Sequence, residues 1–235
     1  MSLWKTRLRQ AFAFKFKPRA AKRVTPLQDQ ILTQIGPHLP KGGYFIEAGA
    51  NDGVTGSNTI RLEKSHEMSG LLVEANPVQF VALAKSRGLR NTCRCAALVE
   101  ADFPDDMIRM VNADLMSVAV AGQGSDLGSL EDHLAHARKN MKQGEPMFEF
   151  GAVAHTISDL LQEVNAPEII DFFSLDVEGF EMNVLQGFDF STRRIRHLLV
   201  EVREPTRMET YLARHGMVLA GNLSPMDQWY RHKDL

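Results

Sequence analysis

The stretch that decides the fold is Phe45-Ile46-Glu47-Ala48-Gly49-Ala50-Asn51-Asp52-Gly53. Its apolar first half predicts a buried β-strand over residues 43–48, and its glycines predict a sharp turn where that strand ends. A helix is predicted next, over residues 57–65. A strand, a glycine-containing turn and a helix in this order indicate the start of a βαβ unit in a parallel sheet.

The alternation of strand and helix continues on both sides of this stretch. Thr25 and Pro26 predict the start of a short helix that Gly36 ends, and Asn76-Pro77 and Pro205 predict the starts of later helices. Further strands are predicted at 70–75, 92–98, 147–153, 169–176, 195–202, 217–220 and 228–232. The pattern therefore predicts an α/β, Rossmann-like fold with a mostly parallel sheet of about seven strands and an antiparallel C-terminal strand.

The chain divides into a basic N-terminal extension (residues 1–24) and one Rossmann-like domain (residues 25–235). Residues 99–146 interrupt the regular alternation. They contain a β-like piece near 115–120 and a predicted helix over 129–139. We interpret this stretch as an insertion, either part of a lid over the site or a surface elaboration.

Charge is distributed unevenly along the chain. The formal net charge is −2, but residues 1–23 hold eight Lys or Arg and no acid, which leaves −10 on the remainder. An acidic body argues against nucleic acid as the partner, because phosphate binding needs a basic face. The basic arm also carries four aromatic residues, so it is interpreted as a peripheral membrane contact, a subunit contact or a loosely docked extension.

The sequence contains neither a run of about 20 apolar residues nor an apolar leader, so a cytoplasmic protein is expected. Its two cysteines, Cys93 and Cys95, are interpreted as ordinary thiols of a reducing compartment. Peripheral location at a membrane surface through the basic arm remains an alternative.

The turn after the first strand differs from a dinucleotide fingerprint. Its glycines, Gly49 and Gly53, are spaced G-x-x-x-G rather than G-x-G-x-x-G, and Glu47 precedes them. A carboxylate at this position would repel a pyrophosphate but would suit a ligand that carries ammonium and sulfonium charges. S-adenosylmethionine is such a ligand.

Glu74 ends the second predicted strand, 21 residues after Gly53. Rossmann-type folds place a ribose-binding acid at about this spacing. A carboxylate can accept both ribose hydroxyl protons, so Glu74 is predicted to bind a ribose.

Acidic residues also follow the predicted central strand 169–176, in the stretch Asp176-Val177-Glu178-Gly179-Phe180-Glu181. Ligands bind outside the carboxyl ends of strands in open α/β sheets. Asp176 could face the transferring group or act as a base, and Glu178 is the alternative base. Glu181 is expected to stabilise the start of the next helix, where the helix dipole favours an acid.

Taken together, these motifs resemble the FkbM family of methyltransferases. The resemblance rests on Glu47-Ala-Gly-Ala-Asn-Asp-Gly-Val-Thr-Gly-Ser-Asn-Thr59, on Glu74-Ala-Asn-Pro77 and on Ser174-Leu-Asp-Val-Glu-Gly-Phe-Glu181, and it is weakest through 99–146. It implies the class I methyltransferase fold, S-adenosylmethionine as methyl donor, and usually O-methylation of sugar or polyketide-type hydroxyls.

The resemblance also implies roles for individual residues. Glu47, Gly49, Asn51 and Gly53 would line the methionine side of the cofactor, Glu74 would hold the ribose, and Ala96 would lie near the adenine. Ala50, Ser57, Ala75 and Asp176 complete the predicted cofactor-binding set, while Asp176 and Glu178 would face the reaction centre as catalytic residues. The expected partner is a small-molecule or glycan acceptor.

Three alternatives remain open from the sequence. Asp176 and Glu201 could share a divalent cation, although the sequence predicts no metal ligand. A nicotinamide-dependent oxidoreductase could use the same type of sheet, but the glycine spacing and Glu47 argue against it. The chain could also bind S-adenosylmethionine without turnover, as a scaffold or a membrane-docked accessory protein.

Overall fold

The computed structural model describes residues 25–112, 118–119 and 148–235, the middle pair by its backbone only. The basic extension (residues 1–24) and the helix predicted over 129–139 lie outside these residues. Their predicted roles therefore stay predictions. No helix in the described ranges is long and apolar enough to cross a membrane.

Eleven strands and six α-helices form the part of the chain that the structure describes. The strands are β1 (Tyr44–Ala48), β2 (Ser69–Glu74), β3 (Thr92–Cys95), β4 (Ala97–Val99), β5 (Met107–Asn112), β6 (Val118–Ala119), β7 (Phe148–Thr156), β8 (Ile169–Leu175), β9 (Arg194–Glu201), β10 (Met217–Asn222) and β11 (Asp227–His232). The α-helices are α1 (Pro26–Gln30), α2 (Ile60–Ser65), α3 (Pro77–Arg87), α4 (Ile157–Glu163), α5 (Glu181–Gln186) and α6 (Pro205–Ala213).

Seven strands form the main sheet, in the order β3-β2-β1-β8-β9-β11-β10. Strands β3, β2, β1, β8 and β9 are parallel, and β11 is antiparallel to both of its neighbours. The predicted mostly parallel sheet with an antiparallel C-terminal strand is confirmed. The chain runs outward from β1 to β3 on one side and from β8 to β9 on the other, so the strand order reverses between β1 and β8. Open α/β sheets bind their ligands at such a reversal.

Both faces of the main sheet are covered, because its central strands send apolar side chains to alternate sides. Phe45 and Phe172 pack on one face with residues of α2 and α3, whereas Ile46 and Phe173 pack on the other with residues of α4, α5 and α6. All four side chains are fully buried. Burial of each contributes about 2 kcal/mol, and the resulting rigid sheet fixes where the strand ends lie.

A second, four-stranded sheet has the order β4-β7-β5-β6. The single strand predicted over residues 92–98 is in fact two strands. β3 pairs with β2, the Ala96 amide donates to the Glu74 carbonyl oxygen, and the chain then leaves the main sheet to pair β4 with β7. Part of the predicted insertion is thus ordered sheet, since β5 and β7 form an antiparallel pair and β6 matches part of the β-like piece near 115–120.

Two of the predicted helix starts agree with the structure, and a third is wrong. Thr25 forms the capping box of α1 with Gln28, and Asn76 caps α3 through the Val78 amide, as the motifs predict. The helix predicted from residue 57 begins only at Ile60, however. The intervening residues 57–59 form a loop whose hydroxyls and amide bind Glu47 instead.

An aromatic cluster, made of the buried Trp229 and His197 and the exposed His38, joins the turn at residues 36–38 to the main sheet. The Trp229 indole N–H donates to Nδ1 of His197 at 3.2 Å, and the His38 ring lies 5.9 Å from the His197 ring. A ring nitrogen that accepts a hydrogen bond cannot carry a proton. Burial, followed by the charges of His38 and Arg196, lowers the pKa of His197 to about 4, and Asp171 partly opposes this.

Stability is therefore expected to fall as the pH drops from about 6.5 to about 4. In that interval the unfolded chain protonates this histidine and the folded chain does not, so unfolding takes up a proton. The expected loss of stability is at most about 3 kcal/mol. Urea unfolding followed by circular dichroism at several pH values measures it. His197→Asn, which keeps an acceptor, should remove this part of the pH dependence, and equal pH dependence in both proteins would contradict the prediction.

Candidate functional site

A cavity of about 260 Å³ lies at the carboxyl ends of β1, β2 and β8, where the strand order reverses. The structure brings ten of the eleven predicted site residues to its wall: Glu47, Gly49, Ala50, Asn51, Ser57, Glu74, Ala75, Ala96, Asp176 and Glu178. Gly53, the eleventh, lies behind the cavity. Its φ of +76° and missing side chain let the turn pack against Leu83 and Arg87 of α3.

The turn after β1 is built from backbone hydrogen bonds. The amides of Gly49 and Ala50 both donate to the Val73 carbonyl oxygen, and Gly49 has a φ of +79°. A side chain on Gly49 would collide with the Asp176 carbonyl oxygen, so the ends of β1 and β8 can approach this closely only with glycine here.

Glu47 is buried, and its carboxylate is bound by the loop that follows the turn. Oε1 accepts from the Asn58 amide at 2.8 Å, while Oε2 accepts from Ser57 Oγ at 2.9 Å and from Thr59 Oγ1. Burial raises the pKa of Glu47, and the charge of Arg87 and these hydrogen bonds oppose the rise. In this structure the carboxylate organises the loop and also belongs to the cavity wall. Its predicted place on the methionine side of a cofactor stays a prediction.

Arg87, on the last turn of α3, was not anticipated from the sequence. Its guanidinium is buried, donates to Glu63 at 2.7 Å and to the Gly53 carbonyl oxygen at 3.0 Å, and lies 3.7 Å from Glu47. It also donates to the hydroxyl oxygens of Ser57 and Thr59. A lysine or arginine at a helix C-terminus is ordinarily a solvated charge, so nothing in the pattern distinguished this one.

Glu74 lies at the end of β2, and each of its carboxylate oxygens is fixed by a backbone amide. Oε2 accepts from the Asn51 amide at 2.7 Å and Oε1 from the Asn76 amide at 2.8 Å. Burial raises the pKa of Glu74, and these amides counteract the rise. Each oxygen keeps a further lone pair for a ligand hydroxyl, which is compatible with the predicted ribose contact.

Four acids lie at the carboxyl ends of β8 and β9, and two of them are next to an arginine. Glu178, with a φ of +58°, lies 3.4 Å from Arg203, which is 3.5 Å from Glu201. Loss of hydration, followed by repulsion from Glu178 and Glu201, raises the pKa of Asp176 well above its ordinary value. The Asp176 side chain still reaches solvent, so protons can exchange there.

Glu181 was predicted to stabilise the start of the next helix, and its carboxylate instead binds the turn that precedes α5. Its Oε1 accepts from the amides of Val177 and Gly179, so it fixes the turn that carries Glu178. Burial raises the pKa of Glu181 to about 7, while these amides oppose the rise.

Asp176, Glu181 and Glu201 bring one carboxylate oxygen each within 4.8 Å of the others. The alternative of a cation shared by Asp176 and Glu201 therefore keeps a compatible geometry. The Arg203 guanidinium beside Glu201 already supplies one positive charge at this place. The metal alternative stays an untested prediction.

An apolar wall of the cavity comes from the second sheet. Ile108 and Met110 of β5 line it together with Leu98 and Phe180. Ile108 and Met110 alternate with the exposed Met107 and Arg109, a period-two pattern that would have revealed a half-buried strand. The Asn76 side-chain amide donates to Oδ1 of Asn112 at 2.5 Å, which fastens the end of β5 to the start of α3.

The polar lining fits S-adenosylmethionine, the donor predicted from the sequence. The Oδ1 atoms of Asn51 and Asn58 are buried at the cavity and accept no hydrogen bond from any residue that the structure describes. Orphaned acceptors of this kind need a donor. An ammonium group, ribose hydroxyls and an adenine amine all supply donors, and the apolar wall suits the adenine faces.

Replacing Arg87 with methionine is expected to destabilise the fold by about 3–5 kcal/mol, because Glu47 and Glu63 would remain buried without their cation. Urea unfolding measures the change. Arg90→Met is a matched control, since Arg90 is exposed and lies 3.9 Å from the same Glu63. Arg90→Met should lower the free energy of unfolding by less than about 1 kcal/mol. Equal effects of the two substitutions would show that the buried ion pair has no special role.

Several solved structures are similar to the chain. M. capricolum TrmK in complex with S-adenosyl-homocysteine has a TM-score of 0.43 at 7% identity and covers 86% of this chain and 67% of its own. A TehB-like SAM-dependent methyltransferase from Corynebacterium glutamicum has a TM-score of 0.42 at 12% identity. The alignment covers 98% of this chain and 96% of that protein. A SAM-dependent methyltransferase from Aquifex aeolicus has a TM-score of 0.39 at 9% identity. The alignment covers 87% of this chain and 88% of that protein. Comparison with curated proteins finds no significant match.

None of these three structures reaches a TM-score of 0.5, so family membership rests on a separate match. The family model described as the Methyltransferase FkbM domain matches residues 47–219, from Glu47 in β1 to Leu219 in β10. The match covers well over half of the chain and contains the whole cavity wall. S-adenosylmethionine is accordingly the cofactor. The chain belongs to the FkbM methyltransferase domain family.

Proposed function

We propose that this methyltransferase acts on oxygen, at a hydroxyl of a sugar, polysaccharide or polyketide-type small molecule. The observation that carries the proposal is the pair of acids, Asp176 and Glu178, at the cavity and at the end of β8. A hydroxyl is a weak nucleophile until it loses its proton, so O-methylation needs a group that accepts this proton.

The bound cofactor would supply an electrophilic methyl group. The residues at the end of β8 would orient the acceptor hydroxyl and accept its proton. The acceptor oxygen forms a bond to the methyl carbon as the bond from that carbon to sulfur breaks. The proton of the hydroxyl passes to a carboxylate, for which Glu178 is the candidate base. Asp176 would orient the hydroxyl, and Gly49 keeps the two strand ends close enough for donor and acceptor to meet.

The charges around Glu178 suit a base that works near neutral pH. Burial, followed by repulsion from Glu201, raises the pKa of Glu178 to about 7, and Arg203 counteracts the rise. Repulsion from Glu181 also raises the pKa of Glu178. A base with a pKa near the working pH is both available in its ionised form and strong enough to take a proton.

The proposal predicts transfer of tritiated methyl from S-adenosylmethionine to hydroxyls in a panel of neutral sugars, oligosaccharides and polyketide alcohols. Asp176→Asn and Glu178→Gln should each lower kcat about 10²–10⁴-fold. Binding of S-adenosylhomocysteine should persist in Glu178→Gln, since Glu178 is not in the predicted cofactor-binding set. Asp102→Asn and Glu204→Gln, which change exposed acids, are the matched controls.

Two results would reject the proposal while keeping the family. Tight binding of S-adenosylhomocysteine without turnover on any acceptor would favour the scaffold alternative. Product analysis that places the methyl group on nitrogen would exclude the oxygen chemistry.

The rate should also depend on pH in a defined direction. A base must be ionised to act, so kcat should rise as the pH increases through about 7. Arg203→Gln removes the charge that lowers the pKa of Glu178, so it should move the rise to higher pH, and Glu178→Gln should abolish it. Stopped assays between pH 5.5 and 9 measure these profiles. A profile that moves to lower pH in Arg203→Gln would contradict the assignment.

A further inference from the structure

Asn58 is anchored more firmly than a loop side chain needs to be. Its backbone amide donates to Glu47 at 2.8 Å, and its side-chain Nδ2 donates to Ser174 Oγ at 3.0 Å. These two bonds fix the amide group at the cavity wall. The third polar atom, Oδ1, is buried and has no hydrogen-bond partner among the residues that the structure describes.

Glu47 cannot offer a comparable free acceptor. Its carboxylate oxygens already accept from Ser57, Asn58 and Thr59, and the carboxylate faces the buried Arg87. The side chain is buried. A carboxylate with these partners has its charge largely neutralised before any ligand arrives.

The order of the strands assigns Asn58 to one end of the cofactor. Glu74, the predicted ribose ligand, ends β2, whereas Asn58 is bonded to Glu47 of β1 and Ser174 of β8. Because β1 lies between β2 and β8, Asn58 is on the far side of the turn from Glu74. A ligand whose ribose meets Glu74 and whose adenine meets Ala96 therefore extends its amino acid part toward Asn58.

We propose that Oδ1 of Asn58 accepts a hydrogen bond from the ammonium group of the methionine part of the cofactor, and that Glu47 acts on the cofactor only through this asparagine. Asn58 is then a cofactor-binding residue and Glu47 a positioning residue. The inference rests on the donor site of the proposed function and is independent of the acceptor.

The test compares three ligands that share the adenosine part. S-adenosylhomocysteine carries the ammonium group, its deamino analogue lacks only that group, and 5′-methylthioadenosine lacks the whole amino acid part. Calorimetric titration gives the Kd of each for wild type, Asn58→Ala and Glu74→Gln. Asn222→Ala, an exposed asparagine on β10, is the control for the substitution itself.

Asn58→Ala should weaken S-adenosylhomocysteine about 10- to 100-fold, the range expected for a hydrogen bond to a charged group. The same variant should bind 5′-methylthioadenosine and the deamino analogue within about twofold of wild type. Glu74→Gln should weaken all three ligands, because they share the ribose. Asn222→Ala should change none.

A double variant separates direct from indirect action of Glu47. If Glu47 works through Asn58, then Glu47→Gln alone should weaken S-adenosylhomocysteine, and Glu47→Gln with Asn58→Ala should bind it no worse than Asn58→Ala. Retained binding of 5′-methylthioadenosine shows in each case that the variant is folded. Additive losses would overturn the indirect role.

The remaining outcomes are also decisive. Loss of 5′-methylthioadenosine together with S-adenosylhomocysteine in Asn58→Ala would mean that Asn58 supports the loop rather than the ammonium, and unchanged affinity would mean that it does neither. Both results overturn the inference and leave the methyltransferase intact. Failure of wild type to bind any of the three ligands would instead reject the donor site itself.

Discussion

The structure depends on one buried cluster of three charges, Arg87 with Glu47 and Glu63. Each group would be costly to bury alone, and the desolvation cost is offset because both oxygens of Glu47, Oε2 of Glu63 and most guanidinium donors find partners. Those partners are the hydroxyls and carbonyls of the loop at residues 53–59. The same contacts that satisfy the charges therefore hold the loop against β1 and α3, and the cofactor side of the cavity takes its shape from this arrangement.

The acid at the end of β1 and the acids at the ends of β8 and β9 have opposite surroundings. Glu47 is buried and neutralised by Arg87. At the ends of β8 and β9, Arg203 lies 3.4 Å from Glu178 and 3.5 Å from Glu201, while Asp176 has no ion pair among the residues that the structure describes. The first region is a fixed support. The second keeps an excess of negative charge, raised pKa values and access to water at Asp176, which are the properties of a region that handles protons.

Sequence patterns predicted what depends on local periodicity and backbone geometry. The apolar run of β8 and the caps at Thr25 and Asn76 were recognisable, because each follows from a rule that acts within a few residues. The start of α2 and the break at Ala96 were not, because tertiary partners decide them: Glu47 takes the loop hydroxyls, and β7 draws β4 from the main sheet. Arg87 was missed for the same reason, since its partners are distant in sequence.

Gly49 makes the spacing between the ends of β1 and β8 a property of the main chain. The Asp176 amide donates to the Ala48 carbonyl oxygen, and the Asp176 carbonyl oxygen lies where a side chain on Gly49 would be. The gap between the cofactor turn and the acids is thus set by main chain alone. Substitutions of side chains around the acids would leave this spacing unchanged. The family could therefore change its acceptor specificity during evolution while the distance between the donor site and the acids stays constant.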